Sequence, residues 1–244
     1  KVSKDVFLGA LGQSFYSLSI GMGCICTYAS YFSRQTNLLK SAVQISFIDS
    51  AIAVLAGLMI FPAAFSVGVH PDSGPSLIFI TLPNVFHSAF ATLPWLGYII
   101  SLLFYALLSL AAITSLISLH EVSTAFFFEE FYISRKSGAL IVTLSCCVIG
   151  ALCSLSLGAV PGLSLFGTDL FDVFDFVTGQ LMLPIGGFFT CLFLGWYVPK
   201  QLVRDEFTNW GTLSSRFFSL FLFCVRFVAP VAILLIFLHQ FNLL

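Results

Sequence analysis

Charge is what this sequence has least of. Only 9% of its 244 residues are Asp, Glu, Lys or Arg, while 59% are hydrophobic; a soluble domain carries roughly 25% charge. An aqueous globular fold is thereby excluded, because a chain of this length has too little polar surface to cover so much apolar side chain. Cysteine in ligand or disulfide spacing is also missing. Seven cysteines occur, but none forms a CxxC pair, and Cys24, Cys26, Cys146 and Cys147 lie inside apolar runs. They read as small packing residues rather than as metal ligands or a disulfide framework. A cleavable leader is not expected either, since Lys1 to Asp5 is polar and the apolar run that follows is already long. The chain opens without an initiator methionine and reads as a piece of a larger protein. Its net charge of −1 carries little by itself, and no nucleic-acid partner is expected.

Long apolar runs are what the sequence does have, and they predict an all-α polytopic membrane protein. Six runs reach the roughly 20 residues that a spanning helix needs: Val6 to Phe32, Ser41 to Val69, Leu93 to Phe128, Ala139 to Leu157, Phe171 to Val198 and Phe217 to Phe237. The third is too long for one perpendicular span, so its end, with Glu129 and Glu130, is expected to tilt or pass the interface. The few charges are placed asymmetrically. Arg34, Lys40, Arg135, Lys136, Lys200, Arg204 and Arg216 fall after spans one, three and five, whereas the connections after spans two and four hold no Lys or Arg. By the positive-inside rule the first set is cytoplasmic, and both ends of the chain lie outside, against the minor weight of Lys1 and Lys4. An even number of spans with both ends outside implies an odd number of further spans ahead of Lys1. In the outer connection, Ile78 to Pro83 is apolar enough to predict a short helix or hairpin dipping onto the protein.

The first span has a polar, glycine-bearing break at its middle, Ser17-Leu18-Ser19-Ile20-Gly21-Met22-Gly23. Interrupting a helix in lipid leaves backbone groups that need partners, and it creates two half-helix ends of opposite partial charge. Such a break suits a small zwitterion together with a cation. Asp49, alone in span two, is too costly to face lipid and reads as paired or ion-binding; only oxygen ligands stand near it, which suits a hard cation. In span three, Ala111, Thr114, Ser115 and Ser118 form one stripe, continued by Leu119. That stripe serves a second cation cage and close helix packing equally well. Asp172 and Asp175, at i and i+3 near the outer end of span five, read as a gate or as salt-bridge partners. His120, Glu121 and Arg226 are expected to form structural pairings, with each other among the options, rather than catalyse anything.

Taken together, GQSFYSLSIGMG, TYASY, FIDSAIAVLAGLMIFPAAF, GPSLIFITLPNVF, AAITSLISLHEV and FDVFDFVTG, in this order, closely resemble the neurotransmitter:sodium symporter family, in particular its bacterial amino-acid-transporting branch. The resemblance covers essentially the whole chain. It implies the second half, helices six to eleven, of an inverted-repeat (LeuT-like) transporter fold whose first span here is unwound at mid-membrane. It also implies a plasma-membrane location in a bacterium, amino-terminal helices as partners alongside the lipid bilayer, and no enzymatic activity.

Residue by residue, the resemblance places Ser17 and Asp49 at a first sodium site. It places the Ala111 carbonyl, Thr114 and Ser115 at a second. Tyr16, Ser17, Ser19, Met22, Ser115 and Leu119 match the substrate pocket, and Gln13 and Asp175 match an outer gate. Tyr16 departs from the family's usual Phe, and Met22 from an aromatic. Ala53 stands where chloride-dependent relatives have Ser, so the fixed charge of Asp49 is expected to replace chloride. The implied activity is sodium-coupled symport of an amino acid, with a hydrophobic or aromatic side chain favoured by the pocket wall. Three alternatives differ in kind. One is an incomplete or split transporter with no transport of its own. A second is an ion channel, which would show conductance without saturable uptake. The last is an intramembrane enzyme, for which no nucleophile–base pairing at helical spacing exists.

Overall fold

In a computed structural model the chain is almost entirely helical; residues 4–33, 36–66, 68, 77–157, 164–165, 167–213 and 216–241 are described. Lys1, Arg34 and residues 69–76 of the outer connection lie outside them. The helices are α1 (Lys4–Ser17), α2 (Cys24–Ser30), α3 (Leu38–Ser66), α4 (Leu77–Ala89), α5 (Pro94–Glu130), α6 (Arg135–Ser156), α7 (Leu170–Tyr197), α8 (Lys200–Phe207) and α9 (Phe218–Gln240). A two-residue antiparallel pair, Ser164–Leu165 with Thr168–Asp169, precedes α7. Helices α3, α5, α6, α7 and α9 are long and apolar enough to cross a membrane. Their large apolar side chains face outward along most of their length, as lipid rather than water requires. The long third run forms a single helix of 37 residues that carries Glu129 and Glu130 at its end.

The chain divides into two compact units, Lys1–Gln44 with Leu119–Leu244, and Ile45–Ser118. In the first, Phe15, Leu183 and Ile233 form a buried cluster, with Met22, Phe188 and Cys191 packed against it. Helix α7 contains π-turns at Phe176–Met182 and Phe193–Tyr197, and α9 contains one at Cys224–Val228. Such a turn adds a residue to the helix and re-aims the side chains around it. The last two π-turns meet: Arg226 donates from Nε to the Gly195 carbonyl and lies 5.5 Å from the centre of the Trp196 ring. Burying that guanidinium stem at membrane depth is tolerable because a carbonyl and an aromatic face receive the charge.

In the second unit, α4 does pack onto the protein. Tyr105 Oη of α5 donates to the Ile78 carbonyl at 2.7 Å, and Thr81, Leu82 and Val85 are buried. A cleft of about 410 Å³ lies between α4 and the start of α5, lined by His87, Tyr98, Ser101 and Tyr105 among aromatic and proline residues. None of the candidate residues named above lines it.

Candidate functional site

The interruption predicted in the first apolar run is present. Helix α1 ends at Ser17 and α2 starts at Cys24. Between them the backbone turns left-handed three times, at Ser19 (φ 52°), Gly21 (φ 92°) and Gly23 (φ 80°). Glycine adopts this region freely; a serine there is strained and has to be held. It is held locally: the Ser19 amide donates to the Tyr16 carbonyl at 3.0 Å and the Ile20 amide to the Phe15 carbonyl at 3.1 Å. Gly23 caps α2 through its carbonyl, which accepts from the Thr27 amide at 2.9 Å.

Tertiary contact fixes the break as well. A Cβ on Gly21 would sit 2.3 Å from the Leu183 carbonyl oxygen, and one on Gly186 would sit 2.6 Å from the Gly21 oxygen. One on Gly187 would lie 2.4 Å from the Phe15 ring. The unwound segment therefore rests backbone-to-backbone on α7, where only glycine leaves room. Met22, half-buried, packs against the cluster of Phe15, Leu183 and Ile233.

The other candidates fall as follows. Gln13, Tyr16 and Ser17 are exposed on the last turns of α1, and Ser19 is half-buried in the turn. Tyr16 and Asp175 converge on one spot of α7: a Cβ on Gly179 would meet the Tyr16 ring at 3.5 and 3.8 Å and Asp175 Oδ1 at 3.9 Å. In the second unit, Asp49 is half-buried on α3. Ala111, Thr114 and Ser115 are exposed on one stripe of α5, and Leu119 follows a turn later. Thr114 Oγ1 donates to the Ala111 carbonyl at 2.8 Å, so a hydroxyl and a carbonyl oxygen already stand side by side. The Thr114 oxygen keeps its lone pairs for a cation, whereas the Ala111 carbonyl also accepts the Ser115 amide of the uninterrupted helix. Among the described residues no three His, Cys, Asp or Glu side chains gather as a metal site. Hydroxyl and carbonyl oxygens suit a hard, weakly held cation rather than a transition metal.

His120, Glu121 and Arg226 do not pair with one another. His120 bridges Thr143 Oγ1 of α6 at 2.9 Å and Thr124 Oγ1 at 3.2 Å. Thr143 already donates to the Ala139 carbonyl, so His120 Nε2 carries the proton toward it. Glu121 accepts from Tyr31 Oη at 2.7 Å and from the Arg135 guanidinium, fastening the end of α2 to α5 and to the start of α6. Residues 90 positions apart give no spacing signal, and this trio was not legible in the sequence. Asp172 and Asp175 make no ion pair among the described residues.

Comparison with known proteins agrees with this architecture. Residues 2–243 match the model of the sodium:neurotransmitter symporter family. The chain belongs to that family. An uncharacterized sodium-dependent transporter of Bacillus subtilis is 33% identical over all of this chain and 53% of its own length. One from Haemophilus influenzae is 33% identical over 98% of this chain and 51% of its own. The crystal structure of MhsT in complex with L-phenylalanine superposes with a TM-score of 0.84 at 38% identity, over 96% of this chain and 51% of that one. The chain is thus a multi-pass membrane protein with the symporter fold, spanning about half the length of the relatives it matches.

Proposed function

We propose that this chain is the carboxy-terminal part of a sodium-coupled symporter that moves a hydrophobic or aromatic amino acid by alternating access. The observation that carries this reading is the interrupted helix, left-handed at Ser19, Gly21 and Gly23 and seated on α7. The negative end of α1, with Ser19, faces the substrate ammonium, as the dipole of a half-helix favours. Tyr16, Ser17, Met22, Ser115 and Leu119 complete this chain's share of the pocket. Support for an amino acid comes from the L-phenylalanine in the MhsT structure, and support for sodium from the relatives' names.

Sodium, as co-substrate, is assigned to Ser17 with Asp49 at one site, and to the Ala111 carbonyl, Thr114 and Ser115 at a second. Its charge neutralises an Asp49 carboxylate that is otherwise expensive at membrane depth. Ion and amino acid then stabilise one occluded state together, which is what couples them. Gln13 and Asp175 form this chain's part of the outer gate. With a fixed carboxylate at Asp49 and Ala53 one turn on, transport needs no chloride. Because the chain spans half of its relatives, it works with an amino-terminal half and carries nothing alone.

The test uses the chain expressed together with such a half. Asp49→Ala is expected to abolish sodium-dependent binding of L-phenylalanine while the protein still reaches the membrane. Undiminished binding removes the first sodium site. In the same assay, uptake by the unmodified protein is expected to persist when gluconate replaces chloride, and its loss overturns the role given to Asp49.

A further inference from the structure

We propose that Gly179 determines specificity by setting how far the Tyr16 ring stands off from the substrate. This rests on the assignment of Tyr16 to the pocket, and it concerns a residue that contributes no side chain of its own. Gly179 lies within the π-turn Phe176–Met182 of α7. An extra residue in a helix turn swings one backbone position outward, and such turns gather at functional sites. Within this turn Gly179 meets the Tyr16 ring: a Cβ there would stand 3.5 Å from Cε2 and 3.8 Å from Cδ2. On the neighbouring residue, the Thr178 hydroxyl donates back to the Phe174 carbonyl at 2.7 Å. Asp175 Oδ1, 3.9 Å from the same point, borders the space. The ring thus settles against bare backbone, with a carboxylate beside it.

The distances grade the substitutions. A Cβ alone makes ordinary van der Waals contact with the ring, so alanine fits. A γ carbon reaches about 1.5 Å further and enters the volume that the ring occupies. The ring then moves off α7, into the pocket, and the space left for a large substrate side chain shrinks. Gly179 lets the ring lie back; a branched residue pushes it forward.

The experiment measures the dissociation constants of L-phenylalanine and L-alanine, in sodium, on the chain assembled with its amino-terminal half. Gly179→Ala is expected to leave their ratio within about threefold of the unmodified protein. Gly179→Val is expected to weaken L-phenylalanine by about tenfold or more relative to L-alanine, the scale at which one methylene discriminates in an apolar pocket. In a Tyr16→Leu background the same Gly179→Val change is expected to leave the ratio where Tyr16→Leu put it, since the ring through which it acts is gone. If Gly179→Val does not fold, Gly179→Ser, with one γ atom, is read by the same criteria. Equal weakening of both ligands overturns the proposal, as does the same ratio change with and without the Tyr16 ring. Should Tyr16→Leu weaken L-phenylalanine while Gly179→Val leaves the ratio unchanged, the proposal alone falls. Unchanged affinities in Tyr16→Leu itself remove the pocket assignment beneath it.

Discussion

The interrupted segment from Phe15 to Gly23 and the hydroxyl stripe on α5 present oxygen atoms by opposite routes. In the first, the backbone leaves the helix, and its course is fixed by glycines of a helix more than 150 positions away. In the second, the helix continues without a break, and Ala111 and Thr114 meet because they are three residues apart on one face. The first arrangement exists only if the unit folds. The second exists wherever α5 is helical. A variant in the break therefore threatens stability, whereas a variant in the stripe changes ligands and leaves the fold standing.

The contrast can be broken by experiment, and the largest effect is expected at Gly21. Gly21→Ala forces a Cβ into the Leu183 carbonyl at a φ of 92°. Strain and overpacking together are expected to cost about 2–6 kcal/mol, read as a lowered melting temperature in detergent. A melting temperature equal to that of the unmodified protein would show that the contact with α7 is slack. Next comes Thr114→Val, which keeps the shape of an exposed side chain and removes one oxygen. Stability is expected to stay within about 0.5 kcal/mol, while sodium affinity drops by about tenfold, the scale of one lost hydrogen-bonding partner. Destabilisation as large as that of Gly21→Ala would erase the difference between the two regions. The smallest effect is expected for Glu121→Gln. An amide oxygen still accepts from Tyr31, and only the attraction to the largely exposed Arg135 is lost. Melting temperatures of variant and unmodified protein should differ slightly at low salt and coincide at high salt, because exposed ion pairs are screened. A difference that persists at high salt would give Glu121 a heavier part in holding α2.

How much of this was legible in advance depends on the range of the interaction. Serines and glycines at the centre of an apolar run marked the break between Ser17 and Gly23, because helix propensity and lipid together forbid an idle interruption there. The dense apolar stretch around Ile78 marked a segment that folds back, as α4 does. The structural pairings expected of His120, Glu121 and Arg226 are present, but each residue finds its partner elsewhere rather than in the other two. Thr143, Tyr31, Arg135 and Gly195 supply them. Nothing in the spacing of those residues points to one another.

Composition and periodicity alone determined that this chain lives in a membrane, that it is helical, where one helix comes apart, and which oxygens stand on a common stripe. These are consequences of solvent and of the helical repeat, both local properties. Only the tertiary structure decided that Gly21, Gly186 and Gly187 are spaces shaped for each other, and that Tyr16 and Asp175 meet at Gly179. Close approach is a property of two surfaces at once, and a single stretch of sequence holds only one of them.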